Sequence, residues 1–199
     1  MRIIAGQLKG RSLKAPRGNS TRPTADRVRE AIFSILGSTE DLNVLDLYAG
    51  TGALGIEALS RGANQAVFVE ASASALQCIR ANLSELSLES QAHVVPKVVE
   101  RAKREITKWA PYNLAFCDPP WSKIVDTCRI LRDIKVDDLL VPGGRLVFEH
   151  PAKTEVVVGN WGNLWVVQVR SWGDSAVTIL EKTAAAPMPE HPTMDDRLS

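Results

Sequence analysis

From Asn43 onward, compact apolar runs alternate with stretches in which apolar residues return every three or four positions. The compact runs read as strands at 44–48 (VLDLY), 65–70, 92–96, 112–118, 143–150, 164–172 and 175–182. The longer-period stretches read as helices at 53–62, 72–87, 98–109 and 123–134. Ahead of them, Val28, Ile32, Ile35 and Leu36 fall on one face of a helix, with Thr24 placed as its N-cap and Gly37 as its stop. The opening RIIAGQLKGRSLKAP mixes short apolar pairs with Gly6, Gly10 and basic residues, which predicts a small hairpin or extended arm.

Strand and helix in regular alternation predict a parallel sheet covered by helices on both faces. The last two strands are separated only by Gly173 and Asp174, so they are expected as an antiparallel hairpin at one edge. The fold class expected is therefore α/β and Rossmann-like, a seven-stranded mostly parallel sheet with an antiparallel C-terminal hairpin. Residues 1–182 are expected as one domain that includes a basic N-terminal arm over about 1–37. The Pro- and Ala-rich segment 183–199 is expected as a disordered tail.

A length of 199 residues and 45% hydrophobic content suit one ordinary globular domain. No apolar run approaches the roughly 20 residues that span a bilayer, and the N-terminus lacks a signal peptide's apolar core, so the cytoplasm is the expected compartment. Cys78, Cys117 and Cys128 lack C-x-x-C spacing, which points to reduced thiols and to no metal site. The net charge of +1 hides a segregation: residues 1–29 carry eight Lys or Arg against Asp26 alone, leaving the remainder at −6. A basic arm on an acidic body suits phosphate contacts, although charge alone fits a solvated surface equally well.

Gly50, Gly52 and Gly55 form G-x-G-x-x-G between a predicted strand and a predicted helix, and Glu70 ends the next strand. That arrangement suits a nucleotide-like ligand, with a tight turn, close backbone approach and an acid for ribose hydroxyls. Asp46, on the strand ahead of the glycines, separates two candidate ligands. A carboxylate there repels the pyrophosphate of NAD but suits the amino group and sulfonium of S-adenosylmethionine (SAM). Capping of local N–H groups is the competing role for Asp46, and plain solvent exposure the competing role for Glu70.

Asp118, Pro119, Pro120 and Trp121 follow the apolar run NLAFC. Neither proline donates a backbone hydrogen bond, and each disfavours helix in the residue before it, so the turn is stiff, extended and rich in acceptors. At the carboxyl end of a strand in an open α/β sheet, Asp118 and the Pro119 carbonyl can grip one exocyclic amine while Trp121 stacks on its base. Glu149 and His150 end the fifth strand near the same pocket; His150 is expected in local packing rather than on RNA, and Trp172 beside a substrate is an open alternative.

These motifs resemble class I SAM-dependent methyltransferases: VLDLYAGTGALG is similar to their cofactor loop and DPPW to the [D/N/S]-P-P-[Y/F/W] motif of enzymes that methylate amino groups. More narrowly, RIIAGQLKGRSL, TRPTADRVREAIFSIL, DLYAGTGALGIEALSRGA and WGDSAV resemble the bacterial 16S ribosomal RNA (guanine 966)-N2 methyltransferases, from about residue 2 to residue 182. The resemblance implies SAM as cofactor, bound by Asp46, Tyr48, Gly50, Thr51, Gly52, Gly55, Glu70, Lys97 and Val98. It implies catalysis by Asp118, Pro119, Pro120 and Trp121, and RNA docking by Arg11, Arg22, Arg27 and Arg29. The implied partner is 16S ribosomal RNA, free or in an assembling small subunit, and a monomer is expected. Two departures stand out: tryptophan replaces the commoner tyrosine of the motif, and VVPKVVE lacks the frequent acid for adenine, which leaves backbone near Lys97 and Val98. The rival readings are an adenine-N6 DNA methyltransferase, a protein-amine methyltransferase, an NAD oxidoreductase and a noncatalytic RNA-binding protein.

Overall fold

The computed structural model describes residues 1–16, 23–154 and 162–183. Its elements run α1 (Pro23–Leu36), β1 (Asn43–Leu47), α2 (Ala53–Ser60), β2 (Gln65–Glu70), α3 (Ala73–Glu85), β3 (Ala92–Pro96), α4 (Lys103–Ile106), β4 (Tyr112–Cys117), α5 (Ile124–Asp133), β5 (Leu140–Pro151), β6 (Leu164–Trp172) and β7 (Ser175–Lys182). The seven strands form one sheet in the order β3-β2-β1-β4-β5-β7-β6. Strands β1 to β5 pair in parallel, while β7 is antiparallel to both β5 and β6. Among the described residues no helix is long and apolar enough to cross a membrane.

Alternation along each strand splits the core into two layers. Val44, Phe68, Phe116, Val147 and Val177 face one side, where they meet Val28, Ile32 and Phe33 of α1, Ile56 of α2 and Ile79 of α3. Leu45, Val67, Ala115, Phe148 and Leu180 face the other side with Ile106 of α4 and Leu131 of α5. Each Val, Leu, Ile or Phe among them, fully buried, stabilises the fold by roughly 1.5–3 kcal/mol. The reversal of strand order at β1/β4 opens a crevice at the carboxyl edge, which the Asp46 and Asp118 segments border.

Several local expectations change. Helix α1 starts at Pro23, so Thr24 lies inside its first turn and is not its cap; proline suits that first position because its missing N–H has no helical partner. Gly37 does end the helix, at φ +77°. The helix expected over 98–109 breaks into 3₁₀ turns at 99–101 and 107–109 around the short α4. There the Thr107 hydroxyl donates to the Lys103 carbonyl at 2.8 Å, competing with the helical ladder. Strand β5 begins earlier than expected, because Leu140 pairs with Tyr112 before a bulge shifts the register.

The N-terminal segment is docked rather than projecting. Arg2 and Ser12 form an antiparallel bridge, Ile3 and Leu13 are buried, and the Ile4 and Ala5 N–H groups donate to the Glu57 carboxylate of α2 at 2.8 and 3.0 Å. The tail beyond Thr183 lies outside the described residues.

Candidate active site

The glycine loop leaves β1 through Tyr48, whose φ of +59° breaks strand alternation. Its ring therefore packs on the α5 side of the sheet, where the Thr127 hydroxyl donates to its oxygen at 3.4 Å. Burial pushes the Tyr48 phenol up to about 12, so it stays protonated near neutrality. Gly50 and Gly52 take φ of +56° and +78°, which favours glycine at both. A Cβ on Gly50 would meet no side chain, so its outer face is open to a ligand, whereas one on Gly55 would lie 2.3 Å from the Phe68 ring. Gly55 thus serves the close packing of α2 on β2.

Two carboxylates organise this loop. Asp46 is 1% exposed and accepts the Gly55 N–H at 3.0 Å. Burial pushes its carboxyl up to about 7, the Gly55 bond opposes the rise, and the negative charges of Asp118 and Glu70 add to it. The capping role foreseen for Asp46 is present. Glu70 accepts N–H groups from Gly50 at 2.8 Å, Ala71 at 2.8 Å and Ser72 at 2.7 Å, so it is far from an idle surface acid. Thr51 is tied through its carbonyl, which accepts from the Asn82 amide at 3.1 Å. Lys97 and Val98 follow β3, whose last residue Pro96 pairs with Glu70. The Lys97 ammonium is held by Glu105 at 2.7 Å, while Val98 is 44% exposed.

Beyond β4, the Asp118 N–H donates to the Leu47 carbonyl at 3.4 Å, which joins the D-P-P-W turn to the end of β1. Asp118 and Pro120 are exposed and Pro119 is buried. Trp121 opens a 3₁₀ turn and is 42% exposed, leaving a flat surface for stacking. Although Asp118 keeps one side to solvent, the protein packed around its carboxyl pushes it up to about 6.

The basic residues separate by environment. Arg27 is exposed on α1. Arg11 is exposed and donates to the Glu85 carbonyl at 3.2 Å. Arg22 lies outside the described residues. The expectation that Arg29 docks RNA is corrected: it is 4% exposed and donates to the Arg2 carbonyl at 2.6 Å and to Asp26 at 3.0 Å, with Glu57 3.8 Å away. Its position on the inward face of α1, one residue from buried Val28, turns the guanidinium into the fold.

His150 is engaged as well, its two ring nitrogens lying 3.0 Å from the Pro151 carbonyl and 2.9 Å from the Thr178 hydroxyl, which places it in packing. Trp172 packs against the α1 side of the core. Sequence reasoning placed Glu149 at the end of the fifth strand near the site without giving it a role, and it missed Asn82. The buried Asn82 amide accepts the Lys14 N–H at 2.7 Å and donates to the carbonyls of Lys14 and Thr51, so it joins the basic segment to the glycine loop. An asparagine on the inward face of α3 was the available signal. Clefts of about 280, 260 and 300 Å³ lie elsewhere, beside α5, at the amino ends of β1 and β4, and under the N-terminal segment. Convergent polar groups, rather than depth, single out the carboxyl edge as the candidate site.

Residues 1–181 match the family model described as "Conserved hypothetical protein 95". The chain is 39% identical over 184 residues to the putative ribosomal RNA methyltransferase YlbH of Bacillus subtilis, an alignment spanning 92% of this chain and 99% of that protein. It is 38% identical over 136 residues to the ribosomal RNA small subunit methyltransferase D of Escherichia coli K12, 67% of each chain. Among solved structures it resembles the putative methyltransferase yhhF of E. coli, with a TM-score of 0.77, 32% identity, and coverage of 93% of this chain and 99% of that one. An RNA methyltransferase of Salinibacter ruber in complex with S-adenosyl-L-homocysteine shares the fold at TM-score 0.59 and 18% identity, over 84% of this chain and 95% of that one. With a family model spanning nearly all of the chain and a relative matched over almost its whole length, this protein belongs to the Conserved hypothetical protein 95 family, in the company of bacterial ribosomal RNA methyltransferases.

Proposed function

We propose that the protein is a SAM-dependent ribosomal RNA methyltransferase that modifies the exocyclic N2 amine of a guanine in small-subunit RNA. The observation that carries the reading is the convergence, at the carboxyl edge, of a glycine loop bordered by Asp46 and Glu70 with the Asp118–Trp121 turn hydrogen-bonded to the end of β1. The ribosomal RNA methyltransferase names of its relatives support it.

The residues present fit SAM. The open face of Gly50 admits its backbone-hugging portion, the Asp46 carboxylate matches its cationic amino group, and Glu70 has lone pairs for ribose hydroxyls beyond those it shares with three N–H groups. Tyr48, Thr51, Gly52 and Gly55 shape the loop, and the backbone after β3 at Lys97 and Val98 borders the adenine end. When bound, SAM supplies an electrophilic methyl group on its sulfonium.

The protein's own part is to present the amine. A guanine N2 is a poor nucleophile because its lone pair is delocalised into the ring. Acceptance of its two N–H bonds by the Asp118 carboxylate and the Pro119 carbonyl favours a pyramidal nitrogen with its lone pair directed outward. Pro120 stiffens that turn, and the exposed Trp121 gives the flipped base a stacking surface of roughly 1–3 kcal/mol. Positioning of this kind reaches roughly 7–11 kcal/mol in well-aligned cases. Asp118 also accepts the proton that the amine sheds.

The test is methyl incorporation from labelled SAM into small-subunit RNA, free and in assembled subunits, followed by nucleoside mass analysis. N2-methylguanosine is expected from the parent and none from Asp118→Ala, which keeps SAM affinity within a few fold. An active Asp118→Ala, or methyl found only on adenine N6 in DNA, overturns the reading.

A further inference from the structure

We propose that Glu149 selects guanine, its carboxylate accepting the N1–H of the flipped base while Asp118 and the Pro119 carbonyl hold the neighbouring N2 amine. This rests on the guanine-N2 reading above and names the residue that reads the base.

Strand register places the two acids together. Phe116 pairs with Val147 and Cys117 with Phe148 in the parallel β4–β5 ladder, so one residue further along Asp118 stands beside Glu149. Adjacent strands lie about 4.8 Å apart. Alternation also gives them one face. Phe116 and Val147 belong to the layer under α1 and α2, and Asp118 and Glu149, two residues beyond each, point the same way as the Asp46 side chain beneath Gly55. Glu70, Asp46, Asp118 and Glu149 therefore line the carboxyl edge on one face, in the strand order β2-β1-β4-β5.

Glu149 is half-buried, and it is held from the far side. Ser175 hydrogen-bonds its carboxylate from the start of β7, two residues before Val177, which pairs directly with Glu149. The turn is fixed in turn by the Ala152 N–H, which donates to the Asp174 carbonyl at 2.7 Å. The W-G-D-S-A-V hairpin, whose purpose the sequence leaves open, thus orients an acid toward the site. Burial and the Asp118 charge push the Glu149 carboxyl up to about 7, with the Ser175 bond opposing. Two crowded carboxylates of this kind are satisfied by a ligand edge that brings two adjacent donors.

Among the standard bases, guanine alone offers that edge, with N1–H next to the N2 amine. Adenine places a lone pair beside its amine, as does cytosine, and above about pH 7, where Glu149 is ionised, either lone pair would face its carboxylate. Acceptor beside acceptor therefore distinguishes guanine from any other amine-bearing base.

The experiment uses the full-length chain and a synthetic RNA spanning the guanine mapped as methylated, made with either guanine or 2-aminopurine at that position. The analogue keeps the amine at C2 but carries a lone pair at N1. The parent is expected to favour guanine at least ten-fold in kcat/KM. In Glu149→Gln, whose amide can donate to N1, that ratio is expected to fall ten-fold or more, with folding checked by thermal melting. Ser175→Ala, which frees the Glu149 side chain, is expected to lower the preference partly and covers the case of an unfolded Glu149 variant. Equal losses on both RNAs, or no change on either, overturn the assignment. A parent whose product is not N2-methylguanosine overturns instead the reading on which it rests, and that is seen before any variant is made.

Discussion

Replacing Asp46 by asparagine isolates the cost of a buried carboxylate at the head of the glycine loop. Asp46 is 1% exposed, and its carboxyl is pushed from 3.8 up to about 7, first by burial and then by the charges of Asp118 and Glu70. An acid that holds its proton more tightly in the folded chain than in the unfolded chain stabilises the fold at low pH. That contribution is fully present below about pH 4 and is lost as pH rises through 7. At 1.36 kcal/mol for each pH unit of displacement, the loss is about 4 kcal/mol, an upper bound because the neighbouring Asp118 carboxyl, itself pushed up to about 6, titrates with it. Asparagine is nearly the same shape and keeps an oxygen for the Gly55 N–H at 3.0 Å, so the variant lacks only the titration. Urea unfolding of the ligand-free parent and Asp46→Asn at pH 5 and pH 8 should therefore show the variant gaining on the parent as pH rises. Across that interval the gain should approach about 3 kcal/mol, or roughly 6–12 °C in Tm for a chain of this size. A stability difference that stays constant from pH 5 to pH 8 refutes the argument, since Asp46 would then be ionised throughout.

Gly55→Ala should cost about 1–3 kcal/mol and weaken SAM binding, because the added Cβ falls 2.3 Å from the Phe68 ring; unchanged melting and unchanged calorimetric affinity would count against that packing role. Neutralising Arg11 and Arg27 to glutamine should weaken RNA binding and lower the salt slope by about 2 while SAM affinity holds, measured by filter binding across a salt series. Arg29→Gln should instead leave the salt slope alone and destabilise the fold by about 3 kcal/mol, because it strips the buried Glu57 and the Arg2 carbonyl of a partner; a changed slope with normal melting would return Arg29 to the RNA surface.

Much of the molecule is determined by local pattern. The strands at 65–70, 92–96, 164–172 and 175–182 have the bounds their apolar runs predict, since a compact apolar run and its flanking turn residues are properties of a short window. The glycine loop and the D-P-P-W turn were legible for the same reason: positive φ at Gly50 and Gly52 and the missing N–H groups of Pro119 and Pro120 are constraints that each residue carries wherever it sits. What only the tertiary structure decided involves partners distant along the chain. Charge pattern alone grouped Arg29 with Arg27, but Glu57, 28 positions away, and the Arg2 carbonyl draw Arg29 inside while Arg27 stays in solvent. Composition marked the first residues as an arm, yet Glu57 and Asn82 supply the hydrogen bonds that bind it to α2 and the glycine loop. Glu149 was legible as an acid ending the fifth strand near the pocket, but only β4–β5 register set it beside Asp118, which a sequence cannot show because strand order and register are fixed by how whole faces pack, not by the residues of either strand alone.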